Sequence, residues 1–201
     1  MGDPAKHRRK YEKPMHPWQR GRIEKERIIL SNYGLKNKKE IWRMDSKRKS
    51  FADQAKRLIA AKGKQADTER NLLFTRLIRL GLLFGTPKLD DVLSLTLEDV
   101  MNRRLQSLVH KKGFARSMKQ ARQFITHQHI MVGGKAVTAP SYLVPLTQES
   151  SITFLQQSSL GSIDHPERVP IQKKPTRQRP PRPQQRSGPG RSGPGRRGQR
   201  R

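Results

Sequence analysis

The amino-acid sequence predicts an α+β protein: a helical N-terminal domain, a small module of two helices, a hairpin and a closing strand, and basic tails on either side. Apolar residues recur at helical spacing between residues 20 and 127. A Gly133–Gly134 pair separates two short apolar runs, and basic residues and proline crowd both ends of the sequence. We expect a basic arm, a helical domain, the module and a Pro/Gly/Arg-rich tail at residues 1–19, 20–95, 96–160 and 161–201.

The arm and the tail contain too few apolar residues to offset chain entropy, so we expect both to be disordered by themselves.

Three helical patterns follow the arm. The first covers residues 20–33 and stops at Gly34, and the second runs from about 37 to 62. The second has one apolar stripe, made of Ile41, Met44, Phe51, Ala55, Leu58 and Ile59.

The third pattern, from about 68 to 84, is apolar around most of its circumference. We therefore expect it to be the central, most buried helix. The apolar residues concerned are Leu72, Leu73, Leu77, Ile78, Leu80 and Phe84.

The module begins with a helix at Thr96, which is expected to continue to Gly113. Thr96 and Asp99 have the spacing of a capping pair. The two acidic clusters near this point, Asp90–Asp91 and Glu98–Asp99, suit caps and turns better than catalytic carboxylates.

A second helix of the module is expected to begin at a capping Ser117 and to reach about His127. The run HIMVGGKAV then predicts a tight hairpin at Gly133–Gly134. Residues 151–155, with the sequence SITFL, predict a closing strand.

The charge of the chain predicts a polyanionic partner. It has 44 Lys and Arg against 16 Asp and Glu, a formal net charge of +28. A compact protein of this charge repels itself unless nucleic acid, an anionic membrane or an acidic protein compensates. The most apolar stretch, residues 72–84, contains Arg76 and Arg79 and is too short to span a bilayer. We expect no secretory signal, and an intracellular protein that is soluble by itself or with its partner.

Several kinds of active site are excluded or disfavoured. The chain has no cysteine, which excludes disulfides, thiolate zinc sites and cysteine nucleophiles. His127 and His129 have no neighbouring carboxylate to complete a metal site. The GGK at 133–135 lacks the frame of a phosphate-binding loop. We therefore expect no catalytic residue, no metal and no cofactor.

A cationic surface is expected on the helix that begins at Ser117. Its free N–H groups and its positive dipole end would receive a phosphate. Such a surface suits the backbone phosphates of nucleic acid, although a solvated face of an ordinary basic protein remains the alternative. The side chains expected on or beside this helix are Arg116, Lys119, Arg122, Gln123, Lys111, Lys112 and Lys135.

Four segments of the module together resemble the S-four RNA-binding domain, which is also called the alpha-L motif. They are the stretch RRLQSLV, the helix around ARQFI, the hairpin HIMVGGKAV, and Pro140–Ser141 before YLV. In that family the helix that begins near Ser117 and the hairpin after it form the RNA surface. By position, the resemblance implies RNA contacts at Arg104, Arg116, Ser117, Lys119, Gln120, Arg122, Gln123, His127 and Lys135.

The resemblance extends beyond the module to three segments of the N-terminal half, KHRRKYEKPMHPW, YGLKNKKEIWR and ERNLLFTRLIRLGLL. Over residues 5–170 the chain is similar to the archaeal and eukaryotic branch of the ribosomal protein S-four family. Many bacterial relatives have an Asp where Gln106 stands, and some hold a zinc in cysteines that are absent here. An acidic tail of the eukaryotic cytosolic kind is also absent, which favours an archaeal source.

This resemblance implies a structural constituent of the small ribosomal subunit in the cytoplasm. It would bind the 5′ domain of the small-subunit ribosomal RNA early, nucleate assembly, and lie near the channel through which messenger RNA enters. Messenger RNA and neighbouring small-subunit proteins are the further partners, with no membrane and no small-molecule substrate. We expect additional RNA contacts at Lys6, Arg8, Arg9, Lys10, Trp18, Arg20, Arg22, Lys39, Arg43 and Lys47.

Three other functions fit parts of the sequence. An RNA-modifying enzyme with an S-four appendage needs a catalytic domain, for which residues 1–95 leave no room. A free RNA chaperone or ribosome-associated factor would share the module. A membrane-surface protein would need a basic amphipathic helix with a bulky aromatic face. Trp18 suits either stacking on a base or anchoring the arm, and Trp42 suits the core.

Overall fold

A computed structural model describes residues 11–162 and 165–167 and confirms the α+β class. Within these residues the helices are α1 Arg20–Asn32, α2 Lys38–Ala60, α3 Lys64–Arg79, α4 Leu89–Ser94, α5 Leu97–Asn102, α6 Leu105–Lys111, α7 Met118–Thr126 and α8 Leu146–Glu149. The strands are β1 Ile130–Val132, β2 Lys135–Ala136 and β3 Ile152–Phe154, and a 3-10 turn covers Ser159–Gly161. In the described part of the chain, no helix is long and apolar enough to cross a membrane.

The central helix of the N-terminal half is α2, which contacts α1, α3, α4 and α5. Its predicted stripe is buried from Ile41 to Leu58. Ile59 was wrongly included, because it is 50% exposed. Ile59 lies on the same side of α2 as the buried Ile41, about five turns earlier. Its exposure therefore follows from its place in the last turn of the helix, which ends at Ala60, and not from the side on which it lies.

The prediction that α3 is the most buried helix is wrong. Leu72 is 69% exposed, and Phe84, which lies beyond the end of α3, is 74% exposed. The buried residues of α3 are Ala66, Leu73 and Leu77. The side of α3 that faces away from α2 is largely exposed. Apolar residues on that side gave the sequence the pattern of a buried helix.

The helix expected from Thr96 to Gly113 is interrupted at Arg104. There the backbone is extended, with φ −70° and ψ 143°, which separates α5 from α6. The preceding short helix α4 was not predicted. The expected capping pair is confirmed, since the Thr96 N–H donates to Asp99 (2.9 Å) and the Asp99 N–H to Thr96 Oγ1 (3.3 Å).

From Ser117 onwards the module matches its prediction closely, except that the short helix α8 was not predicted. Ser117 Oγ accepts from the N–H of Gln120 and caps α7. Gly133 and Gly134 have φ of 58° and 79°, the left-handed conformation that a two-residue hairpin turn between β1 and β2 requires. The sheet order is β2-β1-β3, with both pairs antiparallel. Phe124 and Ile125 of α7 pack into the core that this sheet covers.

We expect Leu77→Ala to lower the free energy of unfolding by about 2–5 kcal/mol, because it leaves a cavity in the core. Leu77 of α3 is fully buried in the core of the helical half. Leu72→Ala in the same helix is the matched control and should change stability by less than about 0.5 kcal/mol. Urea unfolding of both variants measures the difference. Equal losses would contradict the placement of α3 on the outside of α2.

Candidate nucleic-acid interface

The helical half and the module are joined by the carboxylate of Glu40, near the start of α2. Arg104 Nη2 lies 2.6 Å from Glu40 Oε2, and Arg122 Nη1 lies 3.0 Å from Glu40 Oε1. The side chain of Arg104 is 1% exposed and that of Glu40 is 16% exposed. One acidic side chain therefore holds α2 against both α6 and α7.

The protonation of Glu40 follows from these two partners. Burial alone raises the pKa of Glu40, but the hydrogen bond and charge of Arg104, together with Arg122, outweigh it and leave the pKa below its ordinary value. Burial lowers the pKa of Arg104, and Glu40 opposes that shift. The carboxylate consequently remains ionised at neutral pH.

Gln106 makes a second connection between the two halves. It is 1% exposed, and its Nε2 donates to the carbonyl oxygens of Met118 (2.8 Å), Tyr33 (3.1 Å) and Gly34 (3.3 Å). An ionised Asp at this position accepts hydrogen bonds but cannot donate to these carbonyls. The amide is thus required by the way in which α1, α6 and α7 meet in this chain.

Gly34 allows the end of α1 to approach the start of α7. Its φ is +55°, and a Cβ on Gly34 would lie 2.9 Å from Met118 Cβ and 3.2 Å from the backbone nitrogen of Lys119. Ser117 meanwhile accepts from the Gln120 N–H. The protein's own groups therefore lie close to the N-terminal end of α7 and take up one of its N–H groups. The expected phosphate site on the remaining N–H groups stays a prediction.

A cavity of about 240 Å³ opens where the two halves meet, and we call it the junction pocket. Lys39, Arg43 and Arg122 bring three positive side chains to it, and Lys39 and Arg43 are exposed. Clustered cations on a fixed frame suit the phosphates of an RNA backbone. The residues that line the junction pocket are Asn37, Lys39, Glu40, Arg43, Met44, Arg104, Arg122, Pro140 and Ser141.

The structure moves some predicted contacts into the interior. Arg104 is not available at the surface, because its guanidinium is buried on Glu40. Arg22 is half-buried, bonds to Glu26, and donates to the Pro17 carbonyl (2.7 Å). Arg22 therefore holds the arm against α1 instead of lying open.

Other predicted contacts remain accessible. Trp18 is 89% exposed, whereas Trp42 packs against the helical core and donates to Glu26 Oε1 (3.0 Å). Further exposed members of the predicted set are Arg20, Lys47, Lys111, Lys112, Arg116, Ser117, Lys119, Gln123, His127 and Lys135. Lys6, Arg8, Arg9 and Lys10 lie outside the described residues, as do both predicted tails except for residues 11–19, 161–162 and 165–167.

Residues 165–167 lie across the start of α7. Arg116 donates to the Pro166 carbonyl, and Gln120 Nε2 is 3.3 Å from Glu167 Oε2. Gln120 also accepts from the N–H of Arg116 (2.8 Å). These hydrogen bonds engage Gln120 within the protein, so its predicted RNA contact would require an exchange of partners.

Two further cations, which the sequence did not predict as contacts, lie near the predicted set. Arg76 and Arg79 of α3 line a second cavity together with Lys47. In the sequence they only interrupt an apolar stretch, and no spacing relates them to Lys47. Among the residues described, no group of three or more His, Cys, Asp or Glu side chains is placed to hold a metal ion.

A helical frame joined to a two-helix, hairpin and strand module, with a cationic pocket between them, defines an RNA-binding protein of the S4 class. Residues 103–149 match the S4 domain family. The chain is 49% identical to small ribosomal subunit protein uS4 of Methanococcus aeolicus over 169 residues, which cover 84% of this chain and 96% of the relative. It is 47% identical to the uS4 proteins of Methanococcus maripaludis strains C6 and C7, over 84% of this chain and 95% of each relative. The chain belongs to the uS4 family of small ribosomal subunit proteins.

We expect Glu40→Gln to lower the free energy of unfolding by about 3 kcal/mol, because it leaves the buried guanidinium of Arg104 without a counter-charge. Glu24→Gln is the control, since Glu24 pairs with Arg20 at the exposed surface of α1. That variant should change stability by less than about 1 kcal/mol. Urea unfolding at pH 7 measures both.

The pH dependence gives a separate check on Glu40. A carboxylate whose folded pKa is lowered contributes stability above its unfolded pKa and loses it as the pH falls through the folded value. The ordinary pKa is 4.5. The stability difference between wild type and Glu40→Gln should therefore be largest above about pH 5 and shrink at lower pH. A difference that stays constant down to pH 3 would contradict the ion-pair account.

Proposed function

We propose that this chain is a structural, non-enzymatic constituent of the small ribosomal subunit that binds the ribosomal RNA of that subunit in the cytoplasm. The observation that carries the proposal is the junction pocket. Lys39, Arg43 and Arg122 line it, and Glu40 holds Arg122 in place. The uS4 relatives, which match nearly their whole length, support the same function. The net charge of +28 supports a polyanionic partner.

The proposed mechanism is docking onto the shape of folded RNA. Lys39 and Arg43 lie four residues apart on α2, so both project to one side of the helix. Arg122 approaches from α7 and is held by Glu40. Phosphates from two RNA strands would meet these cations in a fixed arrangement, which favours a junction of RNA helices over an isolated duplex.

We further propose that residues 20–95 and 96–160 act as two halves of a clamp on the 5′ domain of the RNA. Neutralising phosphates at a helical junction stabilises its folded arrangement, so binding there would promote early assembly. Exposed cations outside the junction pocket, such as Lys111, Lys119 and Lys135, would contact further RNA. Those nearest the channel by which messenger RNA enters would contact the messenger, and neighbouring small-subunit proteins would cover the remaining surface.

We expect the full chain to bind a 5′-domain fragment of small-subunit ribosomal RNA at least about tenfold more tightly than an unrelated duplex RNA of equal length. The measurement is a dissociation constant for each RNA across a salt series. Lys39→Gln with Arg43→Gln should remove most of that preference. It should also reduce the slope of log affinity against log salt by about 1–2, because phosphate contacts are lost.

The matched control is Lys56→Gln with Lys62→Gln, which removes two exposed positive charges outside the junction pocket. It should preserve the preference for the 5′-domain fragment. Equal affinity of the wild-type chain for every RNA would refute the ribosomal proposal. Tight binding without stoichiometric presence in salt-washed small subunits would instead favour a free RNA chaperone or ribosome-associated factor.

A further inference from the structure

A second cavity, of about 480 Å³, lies between α2, α3 and the loop after Pro140, and we call it the Lys47 pocket. Ser141 lines both this cavity and the junction pocket, so the two lie side by side. The residues that line the Lys47 pocket are Lys47, Ser50, Phe51, Arg76, Arg79, Leu80, Ser141, Tyr142, Leu143 and Pro145.

The charge of the Lys47 pocket is uncompensated. Lys47, Arg76 and Arg79 bring three positive side chains to it, and its lining contains no carboxylate. Within residues 11–162 and 165–167, none of the three forms an ion pair. Other arginines of this chain are neutralised internally, as Arg70 is by Asp67.

Lys47 shows the effect of this clustering. Lys47 is exposed as a whole, but partial burial lowers its pKa, and the positive charges of Arg76 and Arg104 lower it further. An anion in the cavity would relieve both effects, because it would compensate the desolvated ammonium and screen it from the two guanidinium groups.

Arg76 is positioned before any ligand arrives. The guanidinium carbon of Arg76 lies 5.4 Å from the centre of the Phe51 ring, a cation–π contact. Phe51 is itself buried in the helical core. Lys47 lies four residues after Arg43 on α2, so the same side of that helix supplies a cation to each pocket.

The remaining wall is apolar and suits more than a bare anion. Leu80, Leu143 and Pro145 line it, with the ring of Tyr142 held by a hydrogen bond from its hydroxyl to Gln148 Oε1 (2.9 Å). A phosphate beside an apolar and aromatic wall matches a nucleotide, whose sugar and base adjoin the phosphate.

We propose that the Lys47 pocket binds a backbone phosphate and the adjoining nucleoside of the same RNA that occupies the junction pocket, and that Arg76 and Arg79 are RNA contacts. This inference rests on the proposed function. The shared lining residue Ser141 places the two pockets next to each other, as contact with one RNA strand requires.

The test is hydroxyl-radical footprinting and affinity measurement with the full chain on the 5′-domain fragment of small-subunit ribosomal RNA. The pocket variant combines Lys47→Gln, Arg76→Gln and Arg79→Gln. The control combines Lys56→Gln, Lys62→Gln and Lys64→Gln, which removes the same charge at exposed positions outside the pocket. We expect the pocket variant to bind at least about tenfold more weakly and to lose protection at one or two consecutive nucleotides, whereas the control keeps the full footprint.

Circular dichroism and urea unfolding check that the pocket variant is folded. If it is not, the single variant Arg79→Gln, at an exposed position, should by itself lose protection at one or two consecutive nucleotides that the control protects. A complete footprint in a folded pocket variant, or equal losses in variant and control, overturns the pocket assignment. A wild-type chain without preference for the 5′-domain fragment overturns the proposed function itself, so the two failures are distinguishable.

Discussion

The arrangement of this protein depends on one partly buried carboxylate. Glu40 lies between Arg104 and Arg122, and so fixes the start of α2 against the module. Removing charges from water is costly, so such a cluster is stable only when each charge has a well-placed partner. That requirement favours the observed orientation of the two halves, in which the amide group of Gln106 also reaches the carbonyl oxygens of Tyr33, Gly34 and Met118. The junction pocket is the space that this orientation leaves open.

The positive charges of the chain fall into two groups with different functions. Arg22, Arg103 and Arg104 are partly or fully buried and paired with carboxylates, and they hold segments of the protein together. The cations of the junction and Lys47 pockets largely face open cavities, with Arg122 serving in both groups. The first group stabilises the fold without RNA. The second group raises the energy of the free protein by mutual repulsion and is compensated when a polyanion binds.

Local patterns predicted the module well from Ser117 onwards, because short-range interactions determine much of its structure there. The Ser117 cap and the Gly133–Gly134 turn depend on neighbours in the chain. The strand at 152–154 was predicted from its own residues, although its partner in the sheet is the more distant β1. Helix α3 was misjudged for the opposite reason. Apolar residues on all sides of a helix do not reveal whether a second layer covers its outer side, and none covers Leu72.

The sequence by itself determined the class of the protein, its basic character, the RNA-binding module and most helix and strand positions, since composition and short-range periodicity encode these properties. Only the tertiary structure decided which cations are available to a ligand. Arg104 resembled a surface contact until Glu40, 64 residues away, buried it. Arg76 and Arg79 resembled interruptions in an apolar stretch until packing brought them beside Lys47. Burial and charge compensation depend on contacts between distant segments, which no local pattern records.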